Sequence, residues 1–290
     1  VNIQSLSIVV PTEKCVNNCA FCVSKQHHEE YGKNKIAVSN PAYSLALQEY
    51  RKRMAFARDN HCNTVMLTGD AEPTQNKAFL ATFGDMNRSL EQPFRWVSIQ
   101  TAGCFLDEAY LVFLRDQVGV TSVSLSISAP DDETNAVYTG HKGAPINIME
   151  LCHTIKNVGM NLRLSVNLTD AWDYMIDTPQ EFFIYAKMMK ADAITFRILY
   201  ASGESEQAKW IANHTAADNL IDSIREYIKN NGRALEVLEF GQTRYDVDGI
   251  STVLDDDCMS TVPKSDLKYL ILRPNCHLYT KWDSTASLLF

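Results

Sequence analysis

Along this chain, short apolar runs alternate with longer stretches in which apolar side chains return every three or four positions. The short runs predict strands at Ser5–Val10, Thr64–Leu67, Arg95–Gln100, Ser122–Ile127, Asn161–Asn167 and Ala193–Leu199. The periodic stretches predict helices at Ala42–Asp59, Lys77–Leu90, Asp107–Gln117, Ile146–Val158, Pro179–Met189 and Ala216–Asn230. Asn230, Asn231 and Gly232 form a stop signal for the last of them. Six strand-then-helix units imply a parallel sheet with right-handed crossovers. Six units are too few for a closed eight-stranded ring. The expected fold class is therefore α/β, a partial (βα)6 TIM-type barrel.

From Arg233 the pattern changes to short strands without helices between them: Leu235–Phe240, Leu267–Leu272 and His277–Trp282, with an acidic loop at Asp255–Asp257. This predicts a core over residues 1–232 and a C-terminal β-rich extension over 233–290 that helps close the barrel mouth.

Composition narrows the picture. Hydrophobic residues make up 46% of 290, so a sizeable core can form. No apolar run reaches about 18 residues, so no membrane span is expected. A net charge of −8 disfavours a broad surface tracking DNA or RNA phosphates, but not a local basic pocket. The opening VNIQSLSIVV has no basic segment and no small-residue cleavage site. The 8 cysteines are too sparse for a disulfide scaffold, which predicts reduced thiols and a cytoplasmic location.

In parallel α/β folds, ligands gather at the carboxyl ends of the strands. After the second strand comes Thr68-Gly69-Asp70-Ala71-Glu72-Pro73, where carbonyls and carboxylates could accept bonds from an ammonium group, or form a plain polar turn. After the third comes Gln100-Thr101-Ala102-Gly103-Cys104, with Cys104 expected as a small buried filler. Alternation puts Ser122, Ser124, Ser126 and Ser128 on one face of the fourth strand. The fifth strand offers Arg163, Ser165 and Asn167, and the sixth Thr195 and Arg197. Such faces are either ligand-lining or filled with internal polar pairs. The arginines could grip a carboxylate or an anionic substrate.

The densest chemistry follows the first strand. Cys15, Cys19 and Cys22 are spaced Cys-x3-Cys-x2-Cys. Three thiolates can hold three corners of an iron–sulfur cubane, leaving one iron open. Structural zinc with His27 or His28 as fourth ligand, or a disulfide pair plus a spare thiol, are the alternatives. Lys14, Lys25, His27, His28, Lys33 and Lys35 surround this loop, as a steering rim or as a solvated face broken by Glu29 and Glu30. Cys258 and Cys276 are too few for an auxiliary cluster, so a single cluster is expected; His277 leaves room for another metal site.

With Phe21 just before the last cysteine, the motif resembles that of the radical SAM superfamily, over residues 5–230. The resemblance implies one [4Fe–4S] cluster on Cys15, Cys19 and Cys22. S-adenosyl-L-methionine (SAM) would chelate the fourth iron, with Phe21 near its adenine. Glu72-Pro73 is similar to the end of the family's Gly-x-Gly-Glu-Pro motif, so Thr68–Pro73 is implied to receive the SAM amino group. Ala71 replaces a glycine there, which requires φ < 0 at that position. Thr101-Ala102-Gly103 resembles a Thr-Asn-Gly turn. Ser126 and Ser128 would meet the ribose or carboxylate, and Arg163, Ser165, Asn167 and Arg197 complete the implied pocket.

The implied activity is reductive cleavage of SAM to a 5′-deoxyadenosyl radical that takes hydrogen from substrate, in an oxygen-sensitive enzyme. Flavodoxin or ferredoxin would donate the electron. The layout, with Leu267–Asp283, is similar to the branch containing molybdenum-cofactor protein A and viperin-like nucleotide dehydratases. The small size and the missing auxiliary module favour a small-molecule or nucleotide substrate over a peptide or protein. A non-catalytic iron–sulfur electron carrier is the reading from another class.

Overall fold

The computed structural model describes residues 3–26, 30–238, 242–255 and 267–290. Six strands run parallel in sequence order: β1 (Ile3–Val9), β2 (Thr64–Thr68), β3 (Trp96–Thr101), β4 (Ser122–Ile127), β5 (Asn161–Asn167) and β6 (Ala193–Arg197). Around them pack α1 (Tyr43–Asp59), α2 (Lys77–Arg88), α3 (Glu108–Phe113, continued by a π turn over Leu114–Val118), α4 (Asp132–Thr139) and α5 (Ile148–Asn157). Then follow α6 (Ala171–Met175), α7 (Gln180–Met188), α8 (Glu206–His214) and α9 (Asp218–Asn231).

Local chemistry explains where several helices begin. Asn76, Asp107, Asp131, Asn147 and Ser205 each accept the backbone N–H three residues on, so an otherwise orphaned donor is satisfied. The strands divide by face. Val123, Leu125 and Ile127 of β4 are buried with the helix side chains, while the alternate positions carry serines toward the inside.

The extension supplies β7 (Arg233–Val237), β8 (Thr243–Val247), β9 (Ile250–Asp255), β10 (Leu267–Leu272) and β11 (Leu278–Tyr279). The sheet order is β11-β10-β1-β2-β3-β4-β5-β6-β9-β8-β7. β10 lies parallel to β1, with Ser5 opposite Tyr269, and β9 lies parallel to β6, with Thr195 opposite Val253. The extension thus lengthens the sheet at both edges. The sheet remains open, a partial barrel.

Several expectations are corrected. One helix per unit was expected, but α4, α6 and α8 are additional. The β8–β9 hairpin was not expected; it turns on Asp248 (φ 53°) and Gly249 (φ 85°). The sixth strand stops at Arg197, the seventh at Val237, and His277–Trp282 contributes only Leu278–Tyr279. Residues 256–266, which include Cys258 and most of the acidic loop, lie outside the described residues, as do 27–29 and 239–241. No described helix is long and apolar enough to cross a membrane.

Candidate active site

The three cysteines sit on the loop after β1, all half-buried with free thiols. The loop is fixed from both flanks. Asn18 N–H donates to the Thr139 carbonyl (3.0 Å) and Ala20 N–H to the Tyr138 carbonyl (3.3 Å), both at the end of α4. Gln75 accepts from Val16 N–H (2.8 Å) and donates to the Lys14 carbonyl (2.9 Å). Gly140, at φ 59°, lets the two segments touch, since a Cβ there would lie 2.7 Å from the Asn18 oxygen. Gln26 ties the loop's far end to Tyr200 O (2.9 Å) and Ser202 N–H (2.7 Å).

The Cys19 thiol is pushed up to about 12, first by burial, then by Cys22 and Cys15, with Lys25 acting the other way. The three sulfurs therefore share one electrostatic neighbourhood. Among the described residues, no three His, Cys, Asp or Glu side chains group to hold a metal ion. A mononuclear zinc site draws its sulfurs to about 2.3 Å from one point, whereas a cubane distributes its thiolates over separate irons. A soft, three-thiol donor set on one tight loop fits the cluster. His27 and His28 fall outside the described residues.

On the β1–β3 side, Glu72 is 5% exposed and its carboxylate is fully engaged. Oε1 accepts from Thr74 Oγ1 (2.7 Å), Thr101 Oγ1 (2.7 Å) and Thr74 N–H (3.2 Å), and Oε2 from Ala102 N–H (2.9 Å). Glu72 thus joins the loops after β2 and β3, and the Thr68–Pro73 segment is left to offer main-chain groups. A Cβ on Gly69 would lie 3.0 Å from the Ala71 carbonyl and 3.3 Å from that of Val10. Ala71 is not among the residues with positive φ, so alanine is tolerated in place of glycine. Asp70 takes a bond from Ser24 on its carbonyl (3.0 Å) and one from Arg273 Nη1 on its carboxylate (3.0 Å).

On the β4–β6 side, polar side chains answer one another across the inner face. Arg163 Nε donates to Ser124 Oγ (3.1 Å) and Arg197 Nε to Ser165 Oγ (2.6 Å). Asn167 Nδ2 donates to Ser126 and Ser128 Oγ, both at 3.0 Å. Ser128 is fully buried and Ser126 only partly so. Burying Asn167 needs no ligand, because the serines supply its partners.

The Phe21 ring lies 6.0 Å from that of Trp210 on α8. Trp210 stacks on His214 (4.4 Å) and meets Tyr138 edge-on (5.5 Å). Asp170 holds both, accepting from Tyr138 OH (2.6 Å) and bonding His214 Nδ1 (2.9 Å). The sequence reading missed this group and Arg273; a Trp and a His one helical turn apart on α8 were the available signal. Cys104 is not a buried filler. It is half-buried and bonds Asn17 Nδ2 (3.1 Å), beside His141. Burial and then Glu72 push its thiol up to about 11. Cys276 is buried and donates to Ala46 O (3.3 Å). Lys25 bonds Asn18 Oδ1 (2.5 Å), whereas Lys14, Lys33 and Lys35 are exposed.

Residues 9–175 match the model of the Radical SAM superfamily, more than half of the chain. Among solved structures, SuiB of Streptococcus suis bound to S-adenosylmethionine superposes with a TM-score of 0.62 at 14% identity, covering 97% of this chain and 60% of that one. SuiB bound to its precursor peptide SuiA gives 0.57 at 14%, covering 96% and 59%. Coproporphyrinogen III oxidase (HemN) from Escherichia coli gives 0.54 at 15%, covering 80% and 54%. The chain therefore spans about 60% of the SuiB length, and at these identities the likeness speaks to fold. No curated protein sequence matches significantly.

Proposed function

The chain belongs to the radical SAM superfamily, and on that premise we propose that Cys15, Cys19 and Cys22 hold one [4Fe–4S] cluster beside a SAM pocket at the barrel mouth. The observation carrying this reading is the loop that presents three free, half-buried thiols, clamped between α4 and the turn after β2. When bound and reduced, the cluster supplies the electron that splits the SAM sulfonium, yielding methionine and a 5′-deoxyadenosyl radical.

The protein's own residues bind and orient. Main-chain carbonyls of Thr68–Pro73, kept in place by the saturated Glu72, receive the methionine ammonium group. Arg197 and Arg163, supported by Ser165 and Ser124, present guanidinium groups for the SAM carboxylate or for an anionic substrate. Ser126 would meet the ribose, with Asn167 bonding both Ser126 and Ser128. Phe21, steadied by Trp210, forms a wall for the adenine. Flavodoxin or ferredoxin supplies the electron.

The inner arginines favour an anionic small molecule or nucleotide as substrate; the family model and the superposed structures give no support for a molybdenum-cofactor protein A or viperin-like branch. A peptide is the second reading, supported by the fold likeness to SuiB, which has been solved with its precursor peptide. Anaerobic reconstitution followed by SAM and dithionite tests the core claim: 5′-deoxyadenosine is expected from the intact protein and not from Cys19→Ala. An intact cluster without 5′-deoxyadenosine would make the protein an electron carrier. Stimulation of cleavage by nucleotides and small anions, rather than by peptides, separates the two substrate readings.

A further inference from the structure

A buried arginine of the C-terminal extension reaches the turn after β2, which itself touches the cluster loop. Arg273 follows β10, and its side chain is only 4% exposed. Its guanidinium lies 3.4 Å from the centre of the Tyr31 ring. Nη1 donates to Asp70 Oδ2 (3.0 Å) and Nη2 to the Trp282 carbonyl (2.9 Å). Nε is buried without a hydrogen-bond partner, so two bonds and the rings of Tyr31 and, at 5.5 Å, Trp282 set its position. A cavity of about 580 Å³ borders both Asp70 and Arg273. Among the described residues, the Asp70 carboxylate takes its hydrogen bond from this arginine.

Asp70 leads directly to a cluster ligand. Its carbonyl accepts the Ser24 hydroxyl (3.0 Å), and the same Ser24 oxygen lies 3.0 Å from Cys22 Sγ. A serine hydroxyl has one proton to donate. A cluster-bound Cys22 is a thiolate and can only accept. The proton therefore goes either to the Asp70 carbonyl or to the Cys22 sulfur. A hydrogen bond to a cluster sulfur eases reduction, because it stabilises the added negative charge.

We infer that Arg273 is a positioning residue that tunes the cluster's reduction potential: by fixing Asp70 it holds the Ser24 proton on the carbonyl and away from Cys22. This rests on the cluster reading above. Its reach is long, since Arg273 and Asp70 are 203 positions apart. The C-terminal extension is thus part of the redox site.

The test is an anaerobic redox titration followed by electron paramagnetic resonance, on the reconstituted protein. Arg273→Lys keeps the charge but loses the two-pronged hold. Asp70→Ala removes the pair from its exposed partner, where folding is not at stake. Both are made with Ser24 present and with Ser24→Ala. With Ser24, each should ease reduction, by up to about tenfold in the reduced-to-oxidised ratio, or about 59 mV for one electron. With Ser24→Ala the Arg273→Lys shift should vanish, because the proton at issue is gone, and the Asp70→Ala shift should shrink to the part that loss of one negative charge gives. An equal shift in both backgrounds, or none in either, overturns the inference. Failure of the wild-type protein to take up a cluster would overturn the underlying reading instead, and iron and sulfide analysis separates the two cases.

Discussion

On the β1–β3 side of the mouth, the polar groups are committed to the protein itself. Glu72 is saturated by four bonds, and Asp70 is held by Ser24 and Arg273. On the β4–β6 side, long side chains rest on small hydroxyls: Arg163 on Ser124, Arg197 on Ser165, and Asn167 on Ser126 and Ser128. The first side fixes main chain through a saturated carboxylate. The second presents long side chains that bond small hydroxyls across neighbouring strands. A saturated carboxylate resists change, because removing it strands several buried donors at once. A serine beneath an arginine leaves behind far less.

Mutations can break or sharpen this contrast. The largest effect is expected from Cys19→Ala, which should abolish bound iron and visible colour on reconstitution, while Cys104→Ala retains both. Next, Glu72→Ala should cost roughly 2–4 kcal/mol in urea denaturation, because Thr74, Thr101 and Ala102 lose their common acceptor. Gly140→Ala should cost about 1–3 kcal/mol and loosen the cluster loop, seen as faster hydrogen exchange at Asn18 and Ala20. Arg197→Lys should weaken binding of SAM or an anionic substrate about tenfold by calorimetry, with stability little changed. The smallest effect belongs to Ser165→Ala, within about 0.5–1.5 kcal/mol. If Ser165→Ala were as damaging as Glu72→Ala, the two sides would not differ in the way described.

The six core strands were legible because both local signals agree there, an apolar run and the loop residues that end it. The cysteine loop was legible as spacing alone. The helix α4 was missed although Asp131 caps its start and Gly140 marks its end, because it is short and its exposed face includes Val137, which blurs the period. The Asp248–Gly249 pair is a standard hairpin signal, with both residues at positive φ, and it was overlooked. Asp70 with Arg273 had no local signal, since a contact across 203 positions exists only once the sheet has formed. The role of Glu72 was half legible: its place after β2 followed from the motif, but its inward turn depends on Thr101 and Ala102 of another loop.

The seating of β10 against β1 also governs biosynthesis. β10 is made long after β1, yet they lie side by side in the sheet. Until β10 arrives, one edge of β1 stays open, and such parallel, long-range pairing is slow to form. A nascent chain stalled before β10 would leave that edge of β1 open to other strands and so be a target for chaperones.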